Sequence, residues 1–327
     1  MLAFVIRRLA QAALVMLAVA LVAFALFNYV GDPVNLMLGQ DATPEQKAEL
    51  REALGLDRPF YVQFAAFVGN AVRGEFGVSL RQAQPVANLI KERLPATAEL
   101  ALTAAVIALV FGVAMGVYTA LHRGGLLANV LLTVSLIGVS LPTFLIGILL
   151  ILVFAVTLQW LPSYGRGEVV QVGWWTTGLL TVDGLRALVL PAITLSLGTM
   201  TLIMRLVRSE MLEVLRTDFI KFARARGLTD RAVHFGHALK NTLVPVMTIT
   251  GLQLGGIIAF AIVTETVFQW PGMGFLFIQS VQAADIPVMA AYLVLISLVF
   301  VIINLVVDLL YFVVDPRLRI ERATAAH

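Results

Sequence analysis

The stretch RSEMLEVLRTDFIKFARARGLTDRAVHFGHALKNTLVP, residues 208–245, is the one long charged segment in the second half of an otherwise apolar chain. Its basic residues are Arg208, Arg216, Lys221, Arg224, Arg226, Arg231 and Lys240. Apolar runs flank it on both sides, and basic residues collect on the cytosolic loops of membrane proteins. We therefore interpret the stretch as a cytosolic loop built of short helices, and its side of the membrane decides the topology of the remaining chain.

The composition is that of a helical membrane protein that crosses the bilayer several times. Of its 327 residues, 60% are hydrophobic and only 13% are charged, and the mean hydropathy is +0.92. Several apolar runs reach the roughly 20 residues that a helix needs to cross a bilayer. The net charge of +3 follows from cytosolic basic loops rather than from nucleic-acid binding. The chain has no cysteine, which excludes disulfides, thiolate metal sites and cysteine catalysis.

The N-terminal third combines one apolar run with a polar segment. Residues 9–30 carry no charge and follow Arg7 and Arg8. A signal-peptide core has only about 7–15 apolar residues, so residues 1–30 are interpreted as a cytosolic N-terminus and an uncleaved first span, with a signal peptide as the alternative. Residues 31–95 balance acids against bases and predict a small extracytoplasmic subdomain. Within it Thr43 is placed to cap a helix that begins at Pro44.

The middle of the chain predicts two spans, at 96–121 and 126–158. The first contains Gly112 and Gly116, a spacing that lets helices approach closely. The second is longer than a bilayer requires and contains Pro142, so it is either one long kinked span or a hairpin of two. A hairpin would place residues 208–245 outside, so we favour one kinked span.

Three further spans complete the prediction, and they are placed at 187–204, 246–268 and 288–314, with a cytosolic tail at 315–327. The outer segment 159–186 carries Trp160, Tyr164, Trp174 and Trp175, which suit the membrane interface. The predicted fold is an all-α integral membrane protein with six transmembrane helices. Both termini are cytosolic, and the extracytoplasmic subdomain lies between helices 1 and 2.

The charged stretch itself predicts two helices separated by a glycine. Phe219, Phe222 and Ala223 follow helical spacing and share one face, while Lys221 and Arg224 share another. Gly227 is expected to end the first helix, and Thr229 or Asp230 can cap the next, which leads to Pro245 and the fifth span. The residues alone also allow an amphipathic helix that lies on anionic lipid.

Catalytic and metal-binding patterns are sparse. The chain has no G-x-x-x-x-G-K-[ST] stretch for ATP phosphates and no convergent Ser/His/Asp or metal set. His234 and His237 are interpreted as loop surface rather than as a metal pair. Glu265 ends the fifth span, where it is either part of an outer gate or a solvated interfacial acid. Asp308 is expected to pair with Arg205 or Arg208.

The same charged stretch resembles a known coupling signature. Residues 218–228, DFIKFARARGL, with 237–241, HALKN, are similar to the loop of ABC-importer permeases, in the branch that carries dipeptides, oligopeptides and nickel. Lys221-Phe222-Ala223 stands where general members have Glu-Ala-Ala, as in the peptide branch. The resemblance also covers 138–144 (GVSLPTF), 190–195 (LPAITL), 205–215, 265–274 (ETVFQWPGMG) and 315–317 (DPR).

The resemblance implies a transport subunit without catalytic activity of its own. The partners are a second, related permease chain, an extracytoplasmic binding protein and two cytosolic ATPase subunits that hold ATP and Mg²⁺. No cofactor is expected on this chain, and no nucleic acid among its partners. Residues expected at the ATPase contact are Phe219, Lys221, Phe222, Ala223, Arg224, Gly227 and Leu228. Residues expected at the outer gate or translocation path are Glu265, Phe268, Pro271 and Gly272.

These expectations place the protein in a bacterial inner membrane as an importer of peptides or related small solutes. The alternative from another functional class is a stand-alone secondary transporter or channel. Such a protein is expected to show internal repeats or several charges at the bilayer midplane, and neither is evident in the sequence.

The predicted topology can be tested with single cysteines, because the chain has none of its own. We expect Glu49→Cys to react with an impermeant maleimide added to intact cells, and Arg226→Cys to react only after the membrane is opened. Labelling of position 226 in intact cells would contradict the model.

Overall fold

The computed structural model describes residues 2–29, 34, 38, 43–53 and 56–314, and most of them are helical. The helices are α1 (Leu2–Tyr29), α2 (Pro44–Ala53), α3 (Phe60–Arg73), α4 (Val86–Leu121), α5 (Leu126–Ser140), α6 (Thr143–Leu150), α7 (Val182–Val214), α8 (Asp218–Ala225), α9 (Leu239–Val267), α10 (Met273–Gln282) and α11 (Ile286–Val314). Two π-helical segments, Ile151–Thr157 and Ala232–Ala238, adjoin α6 and α9. A small two-stranded sheet pairs β1 (Val170–Val172) with β2 (Trp175–Thr177).

Four helices are long and apolar enough to cross a membrane by themselves. Their apolar segments are Ile6–Leu26, Val86–Leu121, Val182–Val214 and Ile286–Leu309. Two bent pairs meet the same requirements only when each is taken as one span, Leu126–Ser140 with Thr143–Thr157 and Pro245–Gly251 with Gly255–Val267. The described part of the chain therefore contains four to six candidate spans, and the protein is a mostly helical, multi-pass membrane protein.

The chain divides into two compact units. The first consists of Met1–Thr97, Gln171–Thr176 and Pro271–Val301, and the second of Ala98–Val170, Thr177–Trp270 and Ile302–His327. In the first unit a cluster of apolar side chains joins the start of α4, at Leu89, to α10 at Leu276 and α11 at Ala291. The core of the second unit joins α4, α7, α8 and α9 and is described with the functional site below.

The start of α2 agrees with the cap predicted from the sequence. The Thr43 hydroxyl accepts a hydrogen bond from the Gln46 amide (3.3 Å), and the Gln46 side-chain oxygen accepts one from the Thr43 amide (3.0 Å). This reciprocal pair is a capping box, which satisfies two amide donors that a helix leaves without internal partners. Residues 54–55 and the predicted tail 315–327 lie outside the described residues.

The stretch 126–158 is a broken helix rather than one long kinked helix. Helix α5 ends at Ser140, and α6 begins at Thr143 after a change of direction of 113°. Pro142 explains the break, because it has no amide hydrogen for a helical bond and its ring restricts Leu141 to extended conformations. The kink predicted in this span is therefore a break between two helices, while the assignment of 126–158 to one span stays a prediction.

Several helices extend beyond the apolar runs from which their spans were predicted. Helix α7 continues to Val214, inside the charged stretch, and α9 begins at Leu239, before Pro245. Apolar runs mark only the part of a helix that suits hydrocarbon, whereas Val207 and Met211 of α7 are buried against protein. The charged stretch is therefore largely helical, and its first part is the end of α7.

A buried carboxylate, Glu99 of α4, connects Arg166 to residues 177–179. One Glu99 oxygen pairs with the Arg166 guanidinium, whose Nε lies 3.0 Å away. The other accepts hydrogen bonds from the Thr177 hydroxyl (2.6 Å), the Gly178 amide (2.9 Å) and the Leu179 amide (3.2 Å). A buried ion pair is tolerated when its remaining lone pairs are satisfied in this way, so Arg166 and residues 177–179 are held to the start of the second unit's part of α4.

A second buried carboxylate, Asp285, has a comparable role in the first unit. It follows α10 and accepts hydrogen bonds from the Ser79 hydroxyl (2.5 Å), the Leu80 amide (3.2 Å) and the Arg81 amide (3.3 Å). This arrangement fixes the loop before α4 to the junction between α10 and α11.

Glycines allow α4 and α7 to pack at close range, as the sequence predicted. A side-chain carbon added at Gly112 would lie 2.9 Å from Ile203 Cβ, and one added at Gly116 would lie 2.6 Å from Val207 Cβ and 2.8 Å from the Met204 carbonyl oxygen. Those distances are below van der Waals contact, so only glycine fits at these two positions.

We expect Gly116→Ala to lower the apparent unfolding temperature of the purified, detergent-solubilised protein by several degrees, because overpacking a tight contact costs about 1–3 kcal/mol. The matched control is Gly69→Ala in α3, where an added carbon meets nothing within 4 Å. That control should leave the unfolding temperature unchanged or raise it slightly. Equal unfolding temperatures for the two variants would show that the α4–α7 contact is looser than described.

Candidate functional site

The charged stretch contains a short helix, α8, that ends just before Gly227, as the sequence predicted. Thr217 precedes it in an extended conformation, and Asp218 occupies its first turn. At the other end the Gly227 amide donates to the Arg224 carbonyl (2.9 Å) and the Leu228 amide donates to the Ala223 carbonyl (3.3 Å). This pair of bonds is a Schellman motif, with Gly227 in the left-handed region at φ +77°.

The helix is fixed to the second unit by two buried side chains, Ile220 and Ala223. They belong to a core cluster that includes Met211 at the end of α7, Val233 of the following π-helical segment and Val246 of α9. Burying an isoleucine side chain contributes about 1.5–3 kcal/mol. Because an isolated eight-residue helix is unstable in water, this packing holds α8 in shape and in place.

The exposed face of α8 differs from the face predicted on sequence grounds. Phe219 is 45% exposed and Phe222 is 64% exposed, whereas Ala223 is buried. The two phenylalanines therefore do not share the packing face of Ala223, because Ile220 takes the place facing the core. Two large aromatic side chains on the surface form an apolar patch of the kind that marks a protein contact.

Basic residues border this aromatic patch. Lys221, Arg224 and Arg226 are exposed, and the Arg226 guanidinium lies 5.8 Å from the centre of the Phe222 ring. Lys221 pairs with Asp218 (2.8 Å), but both side chains are well exposed, so the pair contributes little to stability. Leu228, just beyond Gly227, is also exposed. Aromatic and basic side chains in this combination suit a partner with an apolar groove and an acidic rim.

The segment after Gly227 leads back into the membrane. The Thr229 hydroxyl lies 3.4 Å from the Ala232 amide, so Thr229 rather than Asp230 is the capping residue. The π-helical segment Ala232–Ala238 follows and continues into α9. Val233 and Ala238 are buried in the same cluster as Ile220. In the described part of the chain, His234 and His237 do not belong to any group of three or more side chains that could hold a metal ion.

The second set of predicted site residues surrounds the end of α9. The Gln269 amide donates to the Thr266 carbonyl (3.3 Å) and the Trp270 amide donates to the Glu265 carbonyl (2.8 Å), which is again a Schellman motif. Here the left-handed position is occupied by Gln269 at φ +46°, a conformation that non-glycine residues adopt at a cost. The turn between α9 and α10 is therefore tightly specified.

Glu265 and Phe268 lie on the buried side of this turn. Glu265 is fully buried, which excludes the solvated interfacial acid that the sequence left open. Phe268 is also buried, and its carbonyl accepts a hydrogen bond from the Gly165 amide (2.9 Å). A buried carboxylate at the end of a membrane span is a functional candidate by default.

Pro271 and Gly272 belong to the first unit, at the start of α10. Gly272 is buried in an extended conformation as the residue before that helix. The amide of the next residue, Met273, donates to the Thr97 hydroxyl (2.7 Å), so the entry to α10 is fixed to α4. Pro271 and Gly272 therefore lie at the start of α10, which is a structural position.

Sequence reasoning missed the two buried carboxylates, Glu99 and Asp285. On sequence grounds neither Glu99, within the predicted span 96–121, nor its partner Arg166, within the segment 159–186, has a role assigned to it. The signal available in the sequence was a charge at the edge of an apolar run, which needs a partner when it is buried. The sequence could not name that partner, because it lies far along the chain. The partner predicted for Asp308 stays a prediction.

Comparison with protein families gives two matches, which together span most of the chain. Residues 112–320 match the family described as binding-protein-dependent transport system inner membrane component. Residues 1–101 match the corresponding N-terminal family of the same transport systems. The match to residues 112–320 follows the match to residues 1–101 along the chain. It includes α8 together with α7 and α9, the helices before and after it.

Full-length relatives carry names from peptide transport. A di/tripeptide transport system permease protein, DppB, of Pseudomonas aeruginosa is 40% identical over 98% of this chain and 100% of its own length. A dipeptide transport system permease protein of Alkalihalophilus pseudofirmus is 36% identical over the same shares. A glutathione transport system permease protein, GsiC, of Escherichia coli is 37% identical over 98% of this chain and 99% of its own.

A solved structure shares the fold. A chain of the MetNI methionine ABC transporter in an inward-facing conformation superposes with a TM-score of 0.53 at 21% identity, covering 69% of this chain and 96% of that one. The fold is that of an ABC-transporter permease. With both family matches and the full-length relatives, this chain belongs to the inner-membrane components of binding-protein-dependent transport systems, as a non-catalytic permease subunit.

Proposed function

We propose that this chain is the permease subunit of an ATP-driven importer of dipeptides, oligopeptides or related small solutes. The observation that carries the proposal is α8, a short helix whose buried side is fixed to the core while Phe219 and Phe222 are exposed. The names of the full-length relatives support peptides as the substrate class. Glutathione, itself a peptide, falls within that class.

The proposed assembly has four kinds of component. A second, homologous permease chain lies beside this one in the bacterial inner membrane, and two cytosolic ATPase subunits bind ATP and Mg²⁺ beneath the pair. An extracytoplasmic binding protein delivers the substrate. The proposed topology has six spans, both termini in the cytosol and residues 31–95 outside. The candidate spans and the basic residues around α8 support this arrangement.

In this proposal α8 is the coupling helix. When the ATPase subunits close on ATP, the groove that receives Phe219 and Phe222 moves, and α8 moves with it. Ile220 and Ala223 transmit that movement to α7 and α9, because all three helices share one buried cluster. A packed core resists local deformation, so the force is expected to tilt the spans rather than to bend α8.

The alternative of a stand-alone secondary transporter or channel has less support. Such a protein has no use for a cytosolic helix that exposes two phenylalanines, because large exposed apolar patches are a liability unless a partner covers them. The family match points the same way. A channel would also take up substrate in the absence of ATP, and the experiment below measures uptake under that condition.

The coupling role is tested in proteoliposomes that contain the complete transporter and its binding protein. We expect uptake of labelled dialanine or trialanine only when ATP is present and the binding protein is loaded. Gly227→Val should abolish uptake and reduce the stimulation of ATP hydrolysis by loaded binding protein. A β-branched residue strains the left-handed conformation by about 1 kcal/mol or more, and the misplaced end of α8 would no longer fit its groove.

Two matched controls separate backbone strain from crowding. Gly227→Asn introduces a residue that tolerates positive φ, so this variant should keep most of the uptake. Gly236→Ala lies in the same loop with an ordinary φ and nothing within 4 Å of an added carbon, so it should behave as wild type. If Gly227→Val kept both uptake and ATPase stimulation, the coupling assignment would be wrong.

Glu265 is expected to act in the outer path. Glu265→Ala should impair uptake while the permease pair and the ATPase subunits still copurify, because the carboxylate lies at the end of α9 rather than in the coupling cluster. Glu265→Gln preserves shape and removes the charge, so a similar loss in both variants identifies the charge as the necessary feature. Wild-type uptake by both variants would remove Glu265 from the proposed path.

A further inference from the structure

The second unit contains a cavity of about 200 Å³ between α6, α7 and α9, away from α8 and from Glu265. Its polar lining consists of Thr143 at the start of α6, Thr199 of α7 and Gln253 of α9. Apolar surface is supplied by Leu195, Ile257 and Phe260, and all of these residues lie in candidate membrane spans. Polar side chains at that depth are costly unless they face a partner or a water-filled space.

The polar side chains of the cavity are available for a ligand. Within the part of the chain that the structure describes, the hydroxyls of Thr143 and Thr199 and the amide of Gln253 form no hydrogen bond. Many other threonines of the second unit instead bond a carbonyl of their own helix, as Thr194 does to Leu190 (2.8 Å). Donors and acceptors left open beside a cavity gain free energy from any ligand that satisfies them.

A broken helix and a bent helix meet at this cavity. Thr143 is the first residue after the 113° break that follows α5, and Gln253 lies between the two parts of α9, which differ in direction by 43°. Transporters form substrate sites where spanning helices are discontinuous, because irregular backbone inside a membrane must line a protected polar space. Gly198 and Gly256 also line the cavity, and an added carbon at either meets nothing within 4 Å, so both keep it open.

The chemistry of the lining indicates the ligand class. Hydroxyl and carboxamide groups are neutral, and each can both donate and accept hydrogen bonds. A peptide bond offers the same pair of functions, one N–H and one C=O. Among the described residues, none with a charged side chain lines the cavity, so this lining offers no ion-pair partner for a terminal ammonium or carboxylate. The volume is below the roughly 300–1,000 Å³ of pockets for drug-sized ligands, so it accommodates only one or two peptide groups at a time.

We propose that this cavity is a transit site in which Thr143, Thr199 and Gln253 hydrogen-bond the backbone of a passing peptide. The proposal rests on the peptide import proposed above and adds the place where the membrane spans hold the substrate. Because the site contacts the backbone, peptides of different side chains can use it, and Leu195, Ile257 and Phe260 supply an unspecific apolar wall.

The test measures peptide moved per ATP hydrolysed, in proteoliposomes that contain the complete transporter with its binding protein, using labelled trialanine. Thr199→Val removes a hydroxyl without changing shape, and Gln253→Leu removes the carboxamide. We expect the double variant to move about fivefold less trialanine per ATP, as the loss of one or two neutral hydrogen bonds predicts. ATPase stimulation by loaded binding protein should remain, because neither residue belongs to the coupling cluster.

The matched control is Thr157→Val, at an exposed position where the hydroxyl bonds its own helix at Leu152 and does not line the cavity. It should keep the wild-type ratio. A second probe is trialanine N-methylated at both peptide bonds, which lacks their N–H donors. Provided that the binding protein accepts it, its uptake by the wild type should be reduced and should differ less between wild type and the double variant.

The experiment distinguishes a failure of the proposed function from a failure of the proposed transit site. Absence of ATP-dependent trialanine and dialanine uptake by the wild type would overturn the proposed function. Wild-type uptake with an unchanged ratio in the double variant would overturn the transit site alone. Loss of ATPase stimulation together with uptake in the double variant would also overturn it, because the two side chains would then act through coupling.

Discussion

The packing of Ile220 and Ala223 against the end of α7 is the interaction on which the proposed activity depends. Helix α8 is too short to be stable alone, and most of its remaining side chains are exposed. Its shape therefore comes from the two buried residues and from the turn at Gly227. Because Met211, Val233 and Val246 complete the same cluster, a push on the exposed phenylalanines reaches two membrane spans without passing through a flexible joint.

The same helix-ending motif occurs at both candidate sites, with different residues in its left-handed position. At the end of α8 that residue is Gly227, which adopts positive φ without strain. At the end of α9 it is Gln269, which does so at a cost. The surrounding structure must offset this free-energy cost, and the burial of Phe268 and Trp270 on either side of Gln269 does so. Strain of this kind is expected where a turn has to hold a buried carboxylate such as Glu265 in place.

Local features of the site were predictable from the sequence, while contacts between distant residues were not. The cap at Thr43, the stop at Gly227 and the close approach at Gly112 and Gly116 follow from rules about neighbouring residues, and the structure contains all of them. Helical spacing could not decide which apolar edge of α8 faces the core. In a helix of eight residues both Phe219–Phe222 and Ile220–Ala223 have the required spacing, and only the shape of the neighbouring cluster selects the smaller pair.

The buried carboxylates mark the other limit of sequence reasoning. Glu99 bonds residues near position 166 and near position 178, and Asp285 bonds the loop at 79–81. Each is a single acid with two backbone amides among its partners, and an amide leaves no trace in the sequence. Such sites become visible only when the fold brings the amides to the carboxylate. The same applies to the cavity beside Gln253, whose walls come from three separate helices.

Helix α7 connects the coupling cluster to that cavity. Thr199 lines the cavity, and Met211 lies in the cluster beside Ile220, so the two sites are about 18 Å apart along the helix at 1.5 Å per residue. Pro191 lies before this stretch, which itself contains no proline that would let it bend. Gly112 and Gly116 of α4 hold the same stretch at close range, at Ile203 and Val207. In the proposed mechanism, a tilt of α7 that begins at α8 therefore also changes the position of Thr199, which would couple the movement of the ATPase subunits to the hold on a passing peptide.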